Sequence, residues 1–508
     1  MTGRGATARL LDALGAGAHV ETAATETVVR RHVDTFDWRL WRSGARLTFE
    51  TVRGATAAVW EPAPGRTPRR VSLRYGAPSA DAIPPGPIRA EIVATAGGRA
   101  LLEVGCAKVR RRPLRIVDAD GRTRVRVWLE TVRPLRGGAP AGATRRFVAV
   151  GALLGFGPDA GAAVERVRQV PGLEPVEDDD LAWVVAASGR EPGDYTSKIA
   201  VELRPADSAE RAVRRILARL AETLVANVEG TVRGLDTEFL HDLRVATRRT
   251  RTCLGQLRPA VPAEVLEAFS EEFRWLAAAT NLCRDLDVFV EKLSSTHPAG
   301  NDERDKEVGP LLDRLRAARA NAHRELADVL RSERFAKLLS RWRRTLRRRF
   351  LGAERAEEPV LSFAAERTLR AYQRLSAGAR GLEPDAPADE LHRLRIDAKK
   401  LRYLLEFFAS LWNREEAGSL VAELKLVQDS LGDYHDAWLQ VERLTALAPE
   451  VLAAGAGAPT LLRMGRMVAD LERRRLADVR EALDRLQAFA AAPVRRRFEA
   501  LVAAGMEP

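Results

Sequence analysis

The sequence predicts an α+β protein of two domains, a β-rich one over residues 1–195 and an all-α one over residues 200–508. Three observations support this division. The first part alternates short β-type runs with turn residues, whereas the second follows the 3.6-residue periodicity of helices. A basic helical motif in the second part begins at His241 and again at His392, 151 residues later. With 508 residues, 46% of them hydrophobic, the chain is long enough for several cores.

In the β-rich part, a first helix is predicted over Ala8–Leu14, a second over Ala160–Gln169 and a linker over Gly189–Tyr195. Turn signals such as Gly97-Gly98 and Asp120-Gly121 separate the β-type runs and indicate antiparallel hairpins. The predicted strands, in chain order, are Ala45–Val52, Thr56–Glu61, Arg69–Tyr75, Ile88–Thr95, Ala100–Arg110, Pro113–Asp118, Arg122–Thr131 and Arg145–Val150.

From about Pro205 onward almost every segment has helical periodicity. About ten helices are predicted, in halves of about 205–352 and 360–508 that pack as side-by-side bundles. The breaks between helices are expected at Pro259–Pro262, Thr296–Asn301, Gly352–Pro359, Gly381–Pro387 and Ala448–Pro459.

Each copy of the basic motif divides into a cationic and an apolar stripe when it is wound at about 100° per residue. Like charges at this spacing repel by roughly 0.2–0.5 kcal/mol per pair. One copy alone is as typical of a solvated helix face, but two matched copies indicate a common, strongly anionic ligand. The cationic stripes are His241, Arg244, Arg248 and Arg251, and His392, Arg395, Lys399 and Arg402, flanked by Arg249 and Lys400. The apolar stripes are Leu243, Ala246, Thr250, Leu254 and Leu257, and Leu394, Leu401, Leu405 and Phe408.

A second repeated element follows each basic helix, over residues 281–288 and 430–437. It carries four aspartates, Asp285, Asp287, Asp433 and Asp436. They are candidate ligands for a hard cation, but such sites usually place more carboxylates in one tight loop. Pairing with arginines inside the bundle, or capping of the next helix, is the favoured interpretation.

The doubled pattern His-x-x-Arg-[Val/Ile]-x-x-[Arg/Lys]-[Arg/Lys]-x-Arg, with an aspartate element after each copy, resembles the CHAD domain, the conserved-histidine α-helical domain. The resemblance covers about Ala200 to the C-terminus. It implies two pseudo-symmetric helical bundles whose basic helices line a central groove or pore, polyphosphate binding and association with polyphosphate granules. The polyphosphate-binding positions that it implies are His241, Arg244, Arg248, Arg249, Arg251, His392, Arg395, Lys399, Lys400 and Arg402.

The composition agrees with a polyanionic partner. Lys and Arg number 82 against 70 Asp and Glu, so the formal net charge is +12. Aromatic residues are only 6% of the chain, and the basic stripes lack the aromatic platforms on which single-stranded nucleic acids stack. This favours bare phosphate over sequence-specific nucleic acid. The three dispersed cysteines, the absence of a signal-peptide core and the absence of an apolar run of membrane-spanning length predict a cytoplasmic protein without membrane attachment.

The β-rich part resembles a second family. His32-Val33-Asp34-Thr35-Phe36-Asp37-Trp38-Arg39-Leu40 is similar to the Tyr-Asp-Thr-Pro-Asp segment of CYTH domains, and the Asp118-Ala119-Asp120-Gly121 hairpin fits their order. The resemblance implies an antiparallel eight-stranded tunnel that binds triphosphate and a divalent metal. The hallmark Glu-x-Glu-x-Lys strand of that family has no counterpart before the Ala8–Leu14 helix.

That missing strand bears on catalysis, because a triphosphatase of this type needs several carboxylates to hold Mg²⁺ or Mn²⁺. The 145–150 strand also shows Val and Ala where the family tends to place Glu. The remaining acids, Glu50, Glu91, Glu103 and Glu130, are expected to face solvent. The sequence therefore favours a degenerate, non-catalytic tunnel domain without a metal site.

Three functional hypotheses remain open at this stage. The favoured one is a polyphosphate-binding module that requires no cofactor, with divalent cations brought in by the bound polyphosphate itself. The alternatives are a metal-dependent triphosphatase or polyphosphatase and a non-specific nucleic-acid binder. The sequence leaves the oligomeric state and the preferred polyphosphate length open.

Overall fold

The computed structural model describes residues 4–63, 66, 68–73, 79–153, 155–176, 180–296, 302–380, 382 and 386–504. These residues form two compact units that divide between Thr196 and Ser197. The first unit is built on a curled antiparallel sheet and the second is helical, so the predicted α+β class with two domains is confirmed.

The sheet of the first unit is a half-barrel, in which all strand pairs are antiparallel. The strand order is β5-β4-β3-β2-β6-β7-β8, with β1 also paired to β6 and β9 to β7. The strands are β1 (His19–Thr22), β2 (Glu26–Asp34), β3 (Arg46–Val52), β4 (Ala55–Glu61), β5 (Arg69–Ser72), β6 (Leu102–Val117), β7 (Thr123–Arg136), β8 (Ala139–Pro140) and β9 (Arg145–Ala152). The helices are α1 (Arg4–Gly15), α2 (Arg39–Arg42), α3 (Pro87–Ala96), α4 (Gly157–Arg168) and α5 (Leu181–Ala186).

Two strand predictions for this unit were wrong, and three of the strands were missed. Residues 88–95 form helix α3, because Pro87 suits a first helical position and Gly97, at φ 55°, closes the helix in the left-handed region. The two strands predicted over 100–118 are the single strand β6, which runs through Pro113. Strands β1, β2 and β8 were not predicted, because β1 has four residues and β8 only two, and β2 ends in three consecutive buried residues instead of alternating.

Pro113 is tolerated inside β6 because of its position along the neighbouring strands. The pairing of β2 with β6 ends at Arg111, and the pairing of β1 begins at Leu114. Pro113 therefore lies between the end of the β2 pairing and the start of the β1 pairing, where its missing N–H costs no hydrogen bond to either strand. Its carbonyl oxygen still accepts a 3.0 Å hydrogen bond from the N–H of Ala23.

The helices of the second unit repeat in order. Those of the first half are α6 (Ala209–Arg233), α7 (Thr237–Gln256), α8 (Ala263–Ala279), α9 (Asn281–Thr296), α10 (Asp302–Arg331) and α11 (Glu333–Leu346). Those of the second half are α12 (Val360–Ala379), α13 (Ala388–Phe407), α14 (Arg414–Ala453), α15 (Ala458–Ala490) and α16 (Ala492–Ala504). The long α14 takes the place of α8 and α9 together. A single hydrophobic cluster runs through both halves, so they share one core.

The two halves meet at equivalent backbone positions ahead of α6 and α12. Ser208 and Pro359 form an antiparallel bridge, and they are 151 residues apart, as His241 and His392 are. The N–H of Val360 donates to the carbonyl of Asp207 at 2.8 Å, and that of Ala209 donates to Glu358 at 2.8 Å. Because the paired residues occupy equivalent positions and their hydrogen bonds are reciprocal, the two halves are related here by a local twofold axis.

Most predicted helix breaks agree with the structure, but one was placed too broadly. Helix α14 continues through Pro449 to Ala453, and α15 begins at Ala458. The buried Val451 packs the last turn of α14 against the core, which compensates for the hydrogen bond that Pro449 cannot make. The expected breaks at Thr296–Asn301 and Gly381–Pro387, and the end of the Arg69–Tyr75 strand, lie partly outside the described residues.

Candidate functional site

Helices α7 and α13 carry the two basic motifs and pack against each other. The Asp236 side chain caps α7 by accepting hydrogen bonds from the N–H groups of Glu238 and Phe239. The predicted apolar stripes of both helices are buried, which confirms the two-sided pattern. Burial of those stripes leaves the cationic stripes half-buried along the line where the two helices meet, with Arg251 and His392 more exposed.

A tyrosine joins the two basic helices. The Arg248 Nε of α7 donates a 2.7 Å hydrogen bond to the Oη of Tyr403 on α13. The guanidinium groups of Arg248, Arg249 and Arg402 also lie within 5.3–5.9 Å of the centre of its ring. The ring is 1% exposed, so it supports the arginines from below and offers no stacking surface.

Part of the predicted cation set is held by carboxylates. Glu406 forms ion pairs with both Arg249 and Arg402, and its carboxylate thereby connects the two helices. Lys400 donates a 2.9 Å hydrogen bond to Asp397 on its own helix. These three cations are at least partly neutralised, and the Arg249–Glu406 pair also holds the two helices together.

A different group of cations is concentrated without such compensation. Burial, together with the charges of Arg248 and Arg395, lowers the pKa of Lys399 to about 7. Within the described part of the chain, the Lys399 amine has no hydrogen bond or ion pair. Burial and Arg248 also lower the pKa of Arg395, whose nearest carboxylate oxygen, on Asp436, is 3.8 Å away. Arg248 and Lys399 occupy equivalent positions in the two motifs, so the repeat brings like charges together.

Arg244 is fixed by neutral groups. Its Nη1 donates to Thr280 Oγ1 at 2.8 Å and to Asn281 Oδ1 at 2.7 Å, at the junction of α8 and α9. Burial is the main cause that lowers its pKa to about 10. The neutral partners orient the guanidinium and leave its charge available to a ligand. Burial and the charge of Arg274 lower the pKa of Arg251, which lies further along α7.

The two motif histidines favour the neutral form. Burial and the charge of Arg284 lower the pKa of His241, and burial with Arg395 and Lys399 lowers that of His392. A third imidazole, that of His435 on α14, lies 5.0 Å from His392 between ring centres. Its pKa falls to about 4, first because of burial and then because of Arg395.

Four contributors were not assigned to the site from the sequence: Tyr403, Glu406, Arg284 and His435. The position of Tyr403 directly after the second motif was a usable signal, as was that of His435 inside the second aspartate element. Arg284 lies inside the first aspartate element, but its counterpart in the second element is Asp433, and Glu406 lies outside both repeated elements. Only the packing of α9 and α13 around the motifs brings them close.

Three of the four aspartates pair with arginines, in line with the favoured interpretation. Asp285 accepts a 2.9 Å hydrogen bond from Arg443, and the almost fully buried Asp287 accepts one of 2.7 Å from Arg319. Asp436 is the acid near Arg395. Burial and the charge of Asp436 raise the pKa of Asp433. No group of three or more potential metal ligands occurs among the residues that the structure describes.

The half-barrel contains a separate charged cluster on one face of its sheet. Arg30 is held by Glu50 at 3.2 Å, by Glu130 at 2.7 Å and by Asp180 at 2.8 Å. Arg111 pairs with Glu50 and Glu130, and Arg70 pairs with Glu50 at 2.8 Å. The prediction that Glu50 and Glu130 face solvent was therefore wrong, because paired arginines offset the cost of burying them.

The other two acids of that prediction are exposed. Glu103 lies on β6, and Glu91 lies on α3 instead of a strand, where it pairs with Arg69. In the charged cluster, burial alone would raise the pKa of Glu50, but the hydrogen bond and charge of Arg111 lower it to about 2. The cluster combines three arginines with three carboxylates, so it carries little net charge with which to attract a triphosphate or a metal ion.

Comparison with known proteins supports the resemblance of the helical unit to the CHAD domain. The family model described as CHAD domain matches residues 215–445. The uncharacterized proteins Rv2226 and MT2285, from two strains of Mycobacterium tuberculosis, are each 26% identical over 325 residues. That match covers 61% of this chain, and the chain spans only 61% of those relatives. None of the described helices has both the length and the apolarity needed to cross a membrane.

Two solved structures are similar over 56% of this chain. One is the CHAD domain from the plant Ricinus communis, at 24% identity and a TM-score of 0.46, with 95% of that chain covered. The other is PptA from Streptomyces chartreusis, at 18% identity and a TM-score of 0.41, with 99% of that chain covered. The curled antiparallel sheet of the first unit is consistent with the CYTH resemblance. Residues 215–445 of this chain form a CHAD domain.

Proposed function

We propose that the helical unit binds inorganic polyphosphate along α7 and α13. The observation that carries this proposal is the concentration of Arg248, Arg395 and Lys399, which are half-buried and repel one another. No carboxylate of the described residues is bonded to Lys399. Such an arrangement is unfavourable without a ligand and becomes favourable when phosphoryl oxygens lie between the cations. The CHAD family is linked in general to polyphosphate binding, which agrees with this chemistry.

The ten motif residues divide into two roles in this proposal. Arg244, Arg248, Arg395 and Lys399 contact the phosphoryl groups, with His241 and His392 at the start of each stripe. Arg249, Lys400 and Arg402 already have acidic partners, and the Arg249–Glu406 pair holds α7 against α13. Arg251, more exposed, extends the contact for a longer chain. Divalent cations would arrive with the polyanion, as its counterions.

Bare phosphate explains this site better than nucleic acid does. Base recognition needs exposed aromatic faces or side chains that read base edges. The aromatic ring at the centre of the site, that of Tyr403, is buried beneath the arginines. A ligand that consists only of phosphoryl groups can bind all of the cations that this site presents.

Metal-dependent triphosphate hydrolysis by the half-barrel has less support. Its carboxylates Glu50, Glu130 and Asp180 are already bonded to arginines, and so are poorly available to Mg²⁺ or Mn²⁺. We therefore propose a binding protein of cytoplasmic polyphosphate granules. Phosphate release from tripolyphosphate that requires Mg²⁺ or Mn²⁺ would instead identify an enzyme.

The proposal is tested by titrating the full chain with long-chain polyphosphate at several salt concentrations. The quadruple variant R244Q/R248Q/R395Q/K399Q should lose binding while its helical content stays unchanged. A control with the same change in net charge neutralises four exposed arginines that are ion-paired on their own helices, R233Q/R316Q/R473Q/R495Q. The control should bind as the unmodified protein does, apart from a small non-specific effect. Equal affinity of the two variants would contradict the proposal.

Competition and localisation complete the test. DNA and RNA at equal phosphate concentration should displace little polyphosphate, because Tyr403, the aromatic ring at the centre of the site, is buried and offers no stacking platform for bases. In cells that accumulate polyphosphate, the protein should sediment with the granules, and the quadruple variant should not. Displacement by DNA at equal phosphate concentration would favour the nucleic-acid alternative.

A further inference from the structure

A second cationic cluster lies at the end of α11, on residues outside the repeated motifs. Arg343, Arg344, Arg347 and Arg348 are all exposed. With Ser340 they line an open cavity of about 440 Å³.

These four arginines differ from the other cations of the same segment. Arg334 pairs with Glu272 at 3.0 Å, Lys337 with Glu333 at 2.7 Å, and Arg349 with Glu357. Arg341 lies over the ring of Phe269, 5.5 Å from its centre. In contrast, among the residues described here, the side chains of the four clustered arginines have neither an ion pair nor a hydrogen bond.

The helix end accounts for only part of this charge. Cations are favoured in the last turn because of the carbonyl groups there, and Arg343 and Arg344 occupy that turn. Arg347 caps the helix, and Arg348 lies beyond it. The spacing of the four places like charges one helical turn apart, where they repel unless an anion lies between them.

The backbone that carries the cluster is anchored on both sides. The Leu346 carbonyl accepts a hydrogen bond from Arg214 at 3.4 Å, and the N–H of Phe350 donates to the buried Glu210 at 2.9 Å. The Trp342 and Phe350 side chains are also buried. The four guanidinium groups therefore project from a fixed base, which reduces the entropy lost when they bind a ligand.

We infer that the end of α11 is a second phosphate-binding site, which takes phosphoryl groups of inorganic polyphosphate. Guanidinium groups match phosphoryl oxygens in a bidentate manner, and none of the described residues that line the cavity is aromatic and able to stack on a base. The choice of polyphosphate rests on the proposed function, whereas the presence of a phosphate site at α11 rests on the cluster alone.

Calorimetric titration of the full chain with tripolyphosphate separates the two sites. The unmodified protein should show two classes of site. The variant R343Q/R344Q/R347Q/R348Q should lose one of them, and R244Q/R248Q/R395Q/K399Q should lose the other. The paired-arginine control R233Q/R316Q/R473Q/R495Q should keep both. Loss of all binding in the α7–α13 variant, or an α11 variant that behaves like the control, would overturn the inference.

The same variants distinguish this inference from the proposed function. If the α11 variant loses a class of site and the α7–α13 variant does not, the proposed function fails and the α11 site stands. Two further probes test the choice of ligand, namely duplex DNA and vesicles containing phosphatidylserine. The exposed Leu351 beside the cluster makes the vesicles a necessary comparison. Long-chain polyphosphate should lose more affinity in the α11 variant than DNA or vesicles do, and the reverse order would overturn its assignment as the ligand.

Discussion

Arg248 and Tyr403 are 155 residues apart in the chain, yet the Nε of Arg248 donates a 2.7 Å hydrogen bond to the Oη of Tyr403. This contact links one basic motif to the other at the crossing of α7 and α13. It turns one N–H of the guanidinium towards the protein and leaves the Nη groups for a ligand. The phenol thus acts as a positioning group between the two halves.

Tyr403→Phe should weaken polyphosphate binding without unfolding the protein. The ring remains to fill the core, but the acceptor that orients Arg248 is lost. A hydrogen bond of this kind contributes about 1 kcal/mol, which corresponds to about fivefold in Kd. Calorimetric titration measures the change, and circular dichroism checks the fold. An unchanged Kd would show that the hydrogen bond has no part in positioning Arg248.

The affinity for polyphosphate should rise as the pH falls from about 9 to about 7 and then level off. The free Lys399 has a pKa of about 7, because of burial and of Arg248 and Arg395, so above that pH binding must take up a proton. Lys399→Arg keeps a cation that does not titrate in this range. The variant should therefore bind polyphosphate with an affinity that changes little between pH 7 and 9, and it should retain that affinity at pH 9. Asp436 and His435 also face this region, so a slope that persists in the arginine variant would assign the proton uptake to them.

Lys399→Met should stabilise the unliganded protein near pH 7, by about 1 kcal/mol or more. The folded-state pKa of Lys399 lies below its unfolded value of about 10.5, so the unfolded state binds more protons between about pH 7 and 10.5. The stability contributed by this group therefore rises with pH across that interval, and the penalty is fully present below pH 7. Urea unfolding at pH 7 and pH 10 measures the difference between the variant and the unmodified protein. A variant that is less stable at both values would contradict the pKa argument.

In the double variant His241→Gln/His392→Gln, the affinity for polyphosphate should depend on pH between 7 and 9 as it does in the unmodified protein. Burial and neighbouring cations lower the pKa of both histidines below 6.5, so they stay neutral in the free protein over that range. Any protons that they take up with the ligand should appear as a steeper rise in affinity below about pH 6.5, which the double variant loses. If both proteins have the same slope down to pH 5, the histidines serve only as neutral hydrogen-bonding groups.

Glu50→Gln should destabilise the half-barrel by about 3–5 kcal/mol, because it leaves Arg30 and Arg111 short of a buried partner. The lowered pKa of Glu50, about 2, means that its stabilisation is present above the unfolded value of 4.5 and is lost as the pH falls from about 4.5 to 2. Thermal unfolding measured between pH 4.5 and 2 should show that the unmodified protein loses stability more steeply with falling pH than the variant does. Equal stability of the two proteins at pH 7 would show that the charged cluster is dispensable.

The doubled basic motif was sufficient to predict the main features of the helical unit. The apolar stripes that begin at Leu243 and Leu394 are buried as expected, because a 3.6-residue period leaves only one face for the core. The period-2 pattern of the first unit was less informative. It predicted a strand over residues 88–95, and it predicted that Glu50 and Glu130 face solvent. The helix over residues 88–95 is decided locally by Pro87 and Gly97, whereas the arginines that bury Glu50 and Glu130 come from other strands, far away in sequence.

The sequence by itself determined the two-part division, the 151-residue repeat and the sidedness of α7 and α13, because each depends on local periodicity or on identity between segments. Only the tertiary structure decided which cations are neutralised. Arg249 and Arg402 meet Glu406, whereas Lys399 meets Arg248 and Arg395. Residues of the same type and spacing thus acquire different charge environments, because burial and long-range partners set the free energy of a charge in a folded protein.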